Sequence, residues 1–261
     1  MNIEVEAGPI SRIWLNRPAM RNALNGETIA ELIAEFSRLG NDPGVHVIIL
    51  SARGQKAFCA GADLNEVSTL QDVEPVRAYF SLMADLIETI RGVQVPVIAA
   101  AFGYTLAGGM GLAAAADFLI AADDGSFGLP EVKIGLFPMV VMAPISQLIG
   151  PRRTLELALT GRIITAQELD QWGFFNALVP AEALQERAWA LAEAINQGSP
   201  FISRMGKEAW RHIQGMEHHQ AVDYLKNMVT LVALSEDSRE GIRAFQEKRN
   251  PEWPSAQAKK S

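Results

Sequence analysis

The sequence predicts an α/β protein whose C-terminal part is helical. Up to about residue 195, short apolar strands alternate with helical patterns. From Gly150 onward the apolar spacing is helical throughout. Two stretches, 45–66 and 95–116, also share a layout: a strand, a glycine-bearing turn, then a helix. That layout hints at an internal repeat. We divide the chain into an α/β core, 1–195, and a helical part, 196–261.

The elements follow in order. Segments 3–7 and 10–15 predict two strands around the Gly8-Pro9 turn. Leu24, Ile29, Leu32, Ile33 and Phe36 form a helical stripe over 22–39. After the turn Asn41-Asp42-Pro43-Gly44 comes a buried strand, 45–52. A small-residue loop, 57–65, enters a helix, and 75–90 is a second amphipathic helix. Segment 96–102 is a strand leading through a glycine-rich turn to a short Ala-rich helix and the strand 118–122. Helices are expected over 151–160, 165–172, 181–197, 200–213 and 216–248, with Thr165 and Ser235 as N-caps. Segment 251–261 is expected to fray.

Composition narrows the function. Of 261 residues, 49% are hydrophobic and 20% charged, which suits a globular core. Thirty acids against 23 bases give a net charge of −7, which disfavours binding to nucleic-acid backbones. Cys59 is the single cysteine, so no internal disulfide can form. The alternating acidic start, Met1 to Glu6, resembles neither a signal nor a transit peptide. The apolar run 95–122 is broken by glycines and Asp117, so it reads as core and not as a membrane span. A cytoplasmic location is the expectation.

Three stretches carry chemistry. In Ala57-Phe58-Cys59-Ala60-Gly61-Ala62-Asp63-Leu64, small residues allow a close approach to backbone. A helix starting there would offer free N–H groups to an anion or a polarised carbonyl, although a plain tight turn has the same composition. In Gly103-Tyr104-Thr105-Leu106-Ala107-Gly108-Gly109-Met110-Gly111, a second strand feeds a glycine turn and a helix. Two such termini facing each other would form an oxyanion hole; tight helix–sheet packing would use the same residues. Gly109-x-Gly111-x-x-Ala114 with Asp123 also fits a loose dinucleotide fingerprint. The helix between them is too short for that fold's crossover. In Phe127-Gly128-Leu129-Pro130-Glu131, Glu131 is a lone acid in apolar company. Burial would raise its pKa toward the range useful for proton transfer, whereas pairing with Lys133 on a surface turn would not.

Together these stretches resemble the crotonase (enoyl-CoA hydratase/isomerase) superfamily. The likeness runs from Asn16-Arg17-Pro18 to Phe245-Gln246-Glu247-Lys248-Arg249. The resemblance implies a spiral of ββα units followed by a helical trimerisation part, with trimers able to pair into hexamers. It implies an acyl-CoA substrate, with CoA as part of the substrate and no separate cofactor or metal. The N–H groups of Ala62 and Gly108 would hold the thioester oxygen, and Glu131 would be the catalytic acid/base. Arg17, Ala23, Ala60, Asp63 and Leu64 would lie along CoA, and Phe245 and Lys248 would help bind it, from a neighbouring subunit in some assemblies. The first catalytic glutamate of true hydratases falls at Gly111, an acyl-end position, where this chain has no side chain. The stretch after Pro138, Met139-Val140-Val141-Met142, also departs from the hydratase Gly-Gly. A single glutamate favours isomerisation of 3-enoyl-CoA to 2-enoyl-CoA. A 2-enoyl-CoA hydratase and a non-catalytic CoA-binding member are the alternatives.

The other chemically suggestive residues read as structure. No His follows Cys59 at a recognisable catalytic position. His46, His212, His218 and His219 lack metal-ligand spacing. Trp172 and Trp253 read as packing residues.

Overall fold

The computed structural model describes residues 1–257. Strands β1 (Ile3–Glu6) and β2 (Ile10–Leu15) form an antiparallel hairpin that sets Ile3 opposite Leu15. Helix α1 (Gly26–Asn41) follows, N-capped by the Asn25 side chain, which accepts from Thr28 N–H. The first unit is β3 (Val47–Ala52), β4 (Ala57–Cys59) and α2 (Leu64–Val67). The long helix α3 (Val73–Gly92) leads to the second, β5 (Val97–Ala101), β6 (Tyr104–Leu106) and α4 (Gly108–Ala114). The third is β7 (Phe118–Ala122), β8 (Ser126–Gly128) and a 3-10 turn, Pro130–Ile134.

Every unit sends its first strand to one sheet and its second to another. The six-stranded sheet has the order β1-β2-β3-β5-β7 and ends on β10 (Ala177–Val179); the other runs β4-β6-β8 and ends on β9 (Ile163–Thr165). This is the expected spiral of ββα units, with three turns where the sequence displayed two. The third was hidden because its helix is a five-residue 3-10 turn opened by Pro130. Strand β6 was read as loop because three residues between Gly103 and the Ala107-Gly108 turn carry little periodicity.

Strand β3 is buried along its whole length. Ile48 and Leu50 join the main core, to which α1 and α3 contribute Leu32, Phe36, Leu86 and Ile90. Val47 and Ile49 face the other way, onto Leu184, Ala188 and Ala192. Those three lie on α7 (Leu184–Asn196). Between β8 and α7 run α5 (Met142–Thr160) and α6 (Ala166–Asp170). Helix α5 begins nine residues earlier than the pattern suggested and kinks at Gly150, where φ is 79°. After α7 come α8 (Pro200–His212), α9 (His218–Ala233), α10 (Glu236–Glu247) and α11 (Pro254–Gln257).

The expected helix 216–248 is thus two helices, divided where the Ser235 side chain accepts from Ser238 N–H. Segment 251–257 is not frayed. Trp253 Nε1 donates to the Gln197 carbonyl at 2.8 Å, and Ser255 N–H donates to the buried Asp237 carboxylate at 3.0 Å. The remainder of that expected tail, 258–261, lies outside the described residues. Among the described residues no helix is long and apolar enough to cross a membrane.

Helix α1 starts later than its hydrophobic stripe suggested because Arg21 and Asn22 take left-handed backbone, with φ of 52° and 54°. Asn tolerates that region better than most residues. Its buried amide donates to the carbonyls of Arg53 (3.0 Å) and Ala57 (2.8 Å) and accepts from Arg17 N–H (2.9 Å). Asn22 therefore ties the segment before α1 to β4, the strand that leads into the site. Asn22→Ala would orphan three backbone groups, of which the Ala57 carbonyl bond is buried, and we expect a loss of about 1–3 kcal/mol of stability in chemical denaturation. A loss under about 0.5 kcal/mol would show that this amide does not hold the turn.

Candidate active site

The short strands β4 and β6 are parallel neighbours, so their C-terminal ends emerge side by side. Beyond β4 the chain turns at Gly61, with φ +95°, and presents Ala62. The turn is bracketed from outside by residues 21–24. Leu24 N–H donates to the Gly61 carbonyl (2.8 Å), Asp63 N–H to the Leu24 carbonyl (2.9 Å) and Ala60 N–H to the Arg21 carbonyl (3.0 Å). Beyond β6, Ala107 sits at φ 53°, ψ −126°, a backbone region that L-residues rarely occupy. Strain of this kind marks a position that the surroundings over-determine. Here it starts α4 abruptly, at Gly108.

The two turns pack backbone to backbone. A Cβ on Gly61 would lie 2.7 Å from Ala107 Cβ, and one on Gly109 would lie 2.1 Å from the Cys59 carbonyl oxygen. A Cβ on Gly108 would lie 3.6 Å from Ala62 N. Among the described residues, neither Ala62 N–H nor Gly108 N–H donates a hydrogen bond within the chain. Both residues line one cavity of about 700 Å³. Two free amides side by side at an apolar cavity form a receptor for one oxygen on which negative charge develops.

Glu131 lines the same cavity, from the first turn of Pro130–Ile134. Its Oε2 is buried without a hydrogen-bond partner. Burial pushes its carboxyl up to about 7, opposed only by a hydrogen bond from its own backbone N–H. Lys133 is exposed and forms no ion pair with Glu131 among the described residues, so the surface-pair reading fails. The other walls are apolar, with Phe80 and Met83 from α3 and Leu136, Phe137, Val140 and Val141 from the segment before α5. The three units thus contribute one functional group each, from matching positions after their second strands.

The remaining expected site residues divide. Ala60 and Leu64 line the cavity. Arg17 and Asp63 instead form a largely buried ion pair at 2.9 Å, and the Arg17 guanidinium also donates to the Ala23 carbonyl. These three brace the Ala62 turn from behind and do not line the cavity. Gly111 is buried beneath Val141, which stands between it and the cavity. Phe245, 85% exposed, and Lys248, the left-handed cap of α10, also lie off the cavity within this chain. The sequence reading missed Phe80 and Met83, because a helical stripe does not distinguish core from cavity wall. The run from Leu136 to Val141, apolar but without strand or helix pattern, was the available signal for the far wall. Cys59 is fully buried and its thiol is pushed up to about 12, which makes it inert.

Comparison with known proteins agrees with this geometry. Residues 6–256 match the family model described as enoyl-CoA hydratase/isomerase. The chain belongs to that enzyme family. A crystal structure of an enoyl-CoA hydratase from Bacillus anthracis superposes with a TM-score of 0.93 at 35% identity, covering 98% of this chain and all of that one. A putative enoyl-CoA hydratase of Thermus thermophilus is 35% identical across 96% of this chain and 100% of its own length. A carnitinyl-CoA dehydratase of Citrobacter koseri is 34% identical across 94% of this chain and 95% of its own. The crotonase fold of this enoyl-CoA hydratase/isomerase family member is therefore established.

The raised carboxyl of Glu131 has a stability consequence. Its folded-state pKa, about 7, lies above the ordinary value of 4.5. The folded form therefore holds the proton more tightly, and this contribution is complete below about pH 4.5 and is lost as pH rises through about 7. Relative to Glu131→Gln, the wild type should lose stability between pH 5 and pH 8, read by denaturation at a series of pH values. A pH-independent difference would mean that the carboxyl is solvated.

Proposed function

We propose that the protein moves the double bond of a 3-enoyl-CoA thioester to the 2-position, with Glu131 as its single acid/base. The observation that carries this is the meeting of two free amides and a carboxyl with one buried, unpartnered oxygen in an otherwise apolar cavity. The thioester oxygen accepts from Ala62 N–H and Gly108 N–H. Ionised Glu131 takes a proton from C2. The C–H electron pair spreads over a dienolate, with its charge on the oxygen. Glu131 then returns the proton to C4, and the double bond is left between C2 and C3. No water is consumed and no second acid is required. One preorganised donor of this type is worth about 3–4 kcal/mol in an oxyanion hole.

The relatives named hydratase and dehydratase support a second reading, addition of water across a 2-enoyl-CoA. That reaction sends the water oxygen to C3 and a proton to C2, and it needs a positioned water. Glu131 and exposed Lys133 are the only residues with polar side chains among those lining the cavity, which favours proton transfer.

CoA would enter along Ala60 and Leu64, at the cavity's mouth. Phe245 and Lys248 would reach it from a neighbouring copy. Helix α9 has no buried residue and exposes Val222, Leu225 and Val229 at helical spacing, an apolar face that supports self-association, which the resemblance makes trimeric or hexameric. Light scattering should report a multiple of three; a stable monomer at micromolar concentration would remove Phe245 and Lys248 from the site.

Paired 2-enoyl and 3-enoyl CoA panels, read by product mass and ultraviolet absorbance, decide the reaction. Isomerisation should exceed hydration. Rapid hydration with untouched 3-enoyl-CoA would overturn the single-acid reading. Glu131→Gln should lower turnover by roughly 10²–10⁴-fold while binding of a non-reactive acyl-CoA is retained. Because the base form is required, kcat/KM should rise with pH to a plateau above about 7. A flat profile from pH 5 to 9 would exclude Glu131 as the base.

A further inference from the structure

Gly111 lies in the first turn of α4, and its bare face is occupied. A Cβ there would stand 2.2 Å from Val141 Cγ1 and 2.5 Å from Val141 Cβ. Contacts that short do not occur between real atoms, so no side chain fits at Gly111 while Val141 keeps its place. Val141 is itself held. It is the N-cap of α5, and its carbonyl accepts from Ile145 N–H at 3.3 Å. Its side chain, 3% exposed, lines the cavity shared by Glu131, Ala62 and Gly108.

Building on the reaction assigned above, we infer that Val141 is a specificity-determining residue. Seated on Gly111, it fills the space that a second acid and its water would need. A reactive water requires both volume and two to four polar partners. Val141 removes the first and offers none of the second. The chemistry at the acyl end is thereby restricted to protons carried by Glu131. It also follows that adding a carboxylate at Gly111 alone cannot create a hydratase, because the new side chain collides with Val141.

Two independent readouts test this. The first is a thermal unfolding cycle of wild type, Gly111→Ala, Val141→Gly and the double variant. Gly111→Ala should lower Tm by about 5 °C or more in the wild-type background and by less than about 1 °C once Val141 is glycine. Equal losses in both backgrounds would overturn the contact. The second is the ratio of 2-enoyl-CoA hydration to 3-enoyl-CoA isomerisation in Gly111→Glu/Val141→Gly, expected to rise at least about tenfold over wild type. An unchanged ratio in a folded variant that still binds a non-reactive acyl-CoA would overturn the specificity role. If that variant does not fold, Gly111→Asp/Val141→Gly, which puts a shorter carboxylate into the same opened space, should raise the ratio at least about threefold; no rise would overturn it equally. A wild type that turns over neither substrate, with the unfolding cycle still coupled, would overturn the specificity role through the assigned reaction and leave the Val141–Gly111 contact standing.

Discussion

Two polypeptide turns touch with nothing larger than the Ala107 methyl between them, and the site exists because of that contact. Gly61 lies against Ala107 and Gly108, and Gly109 lies against the Cys59 carbonyl. A helix start offers free N–H groups, yet a single terminus directs them at solvent as readily as at a ligand. Convergence of two requires adjacent parallel strands, here β4 and β6, each ending in a turn stripped to backbone. The strained φ of Ala107 fits this account. The turn is held in an unfavourable conformation because the sheet beneath and the Gly61 turn beside it leave no other path.

Electrostatics divides into a braced side and an unbraced side. Behind the Ala62 turn, Arg17 and Asp63 neutralise one another, and removing one partner of such a buried pair typically costs about 3–5 kcal/mol. In front, Glu131 faces apolar walls with its Oε2 unpartnered and is protonated far more readily than an ordinary carboxylate. The amides are therefore fixed in place, while the acid remains free to exchange its proton. This division suits a reaction in which charge builds on one oxygen as a proton is shuttled beside it.

The ββα repeat explains how distant segments supply one site. Ala62, Gly108 and Glu131 each follow the second strand of their own unit. Stacking the units in parallel brings those positions to one end of the β4-β6-β8 layer. A short sequence motif in each unit is sufficient, because the sheet register performs the alignment.

The sequence by itself determined the longer strands and most of the helices, the small-residue turns and the isolated acid. Each depends on neighbours a few residues away, through periodicity, turn chemistry and the lack of a Cβ. Tertiary structure alone decided what those features face. Arg17 and Asp63 carry opposite charges, and the fold pairs them, with the Ala23 carbonyl accepting from Arg17, behind the Ala62 turn. Gly111 has the local pattern of a site residue, yet Val141, thirty positions later, covers it. Phe80 and Met83 belong to an ordinary amphipathic stripe and become cavity walls only where α3 crosses the Gly108 turn. Long-range packing determines these outcomes, and a side chain's exposure or ionisation follows from partners that no local window of sequence contains.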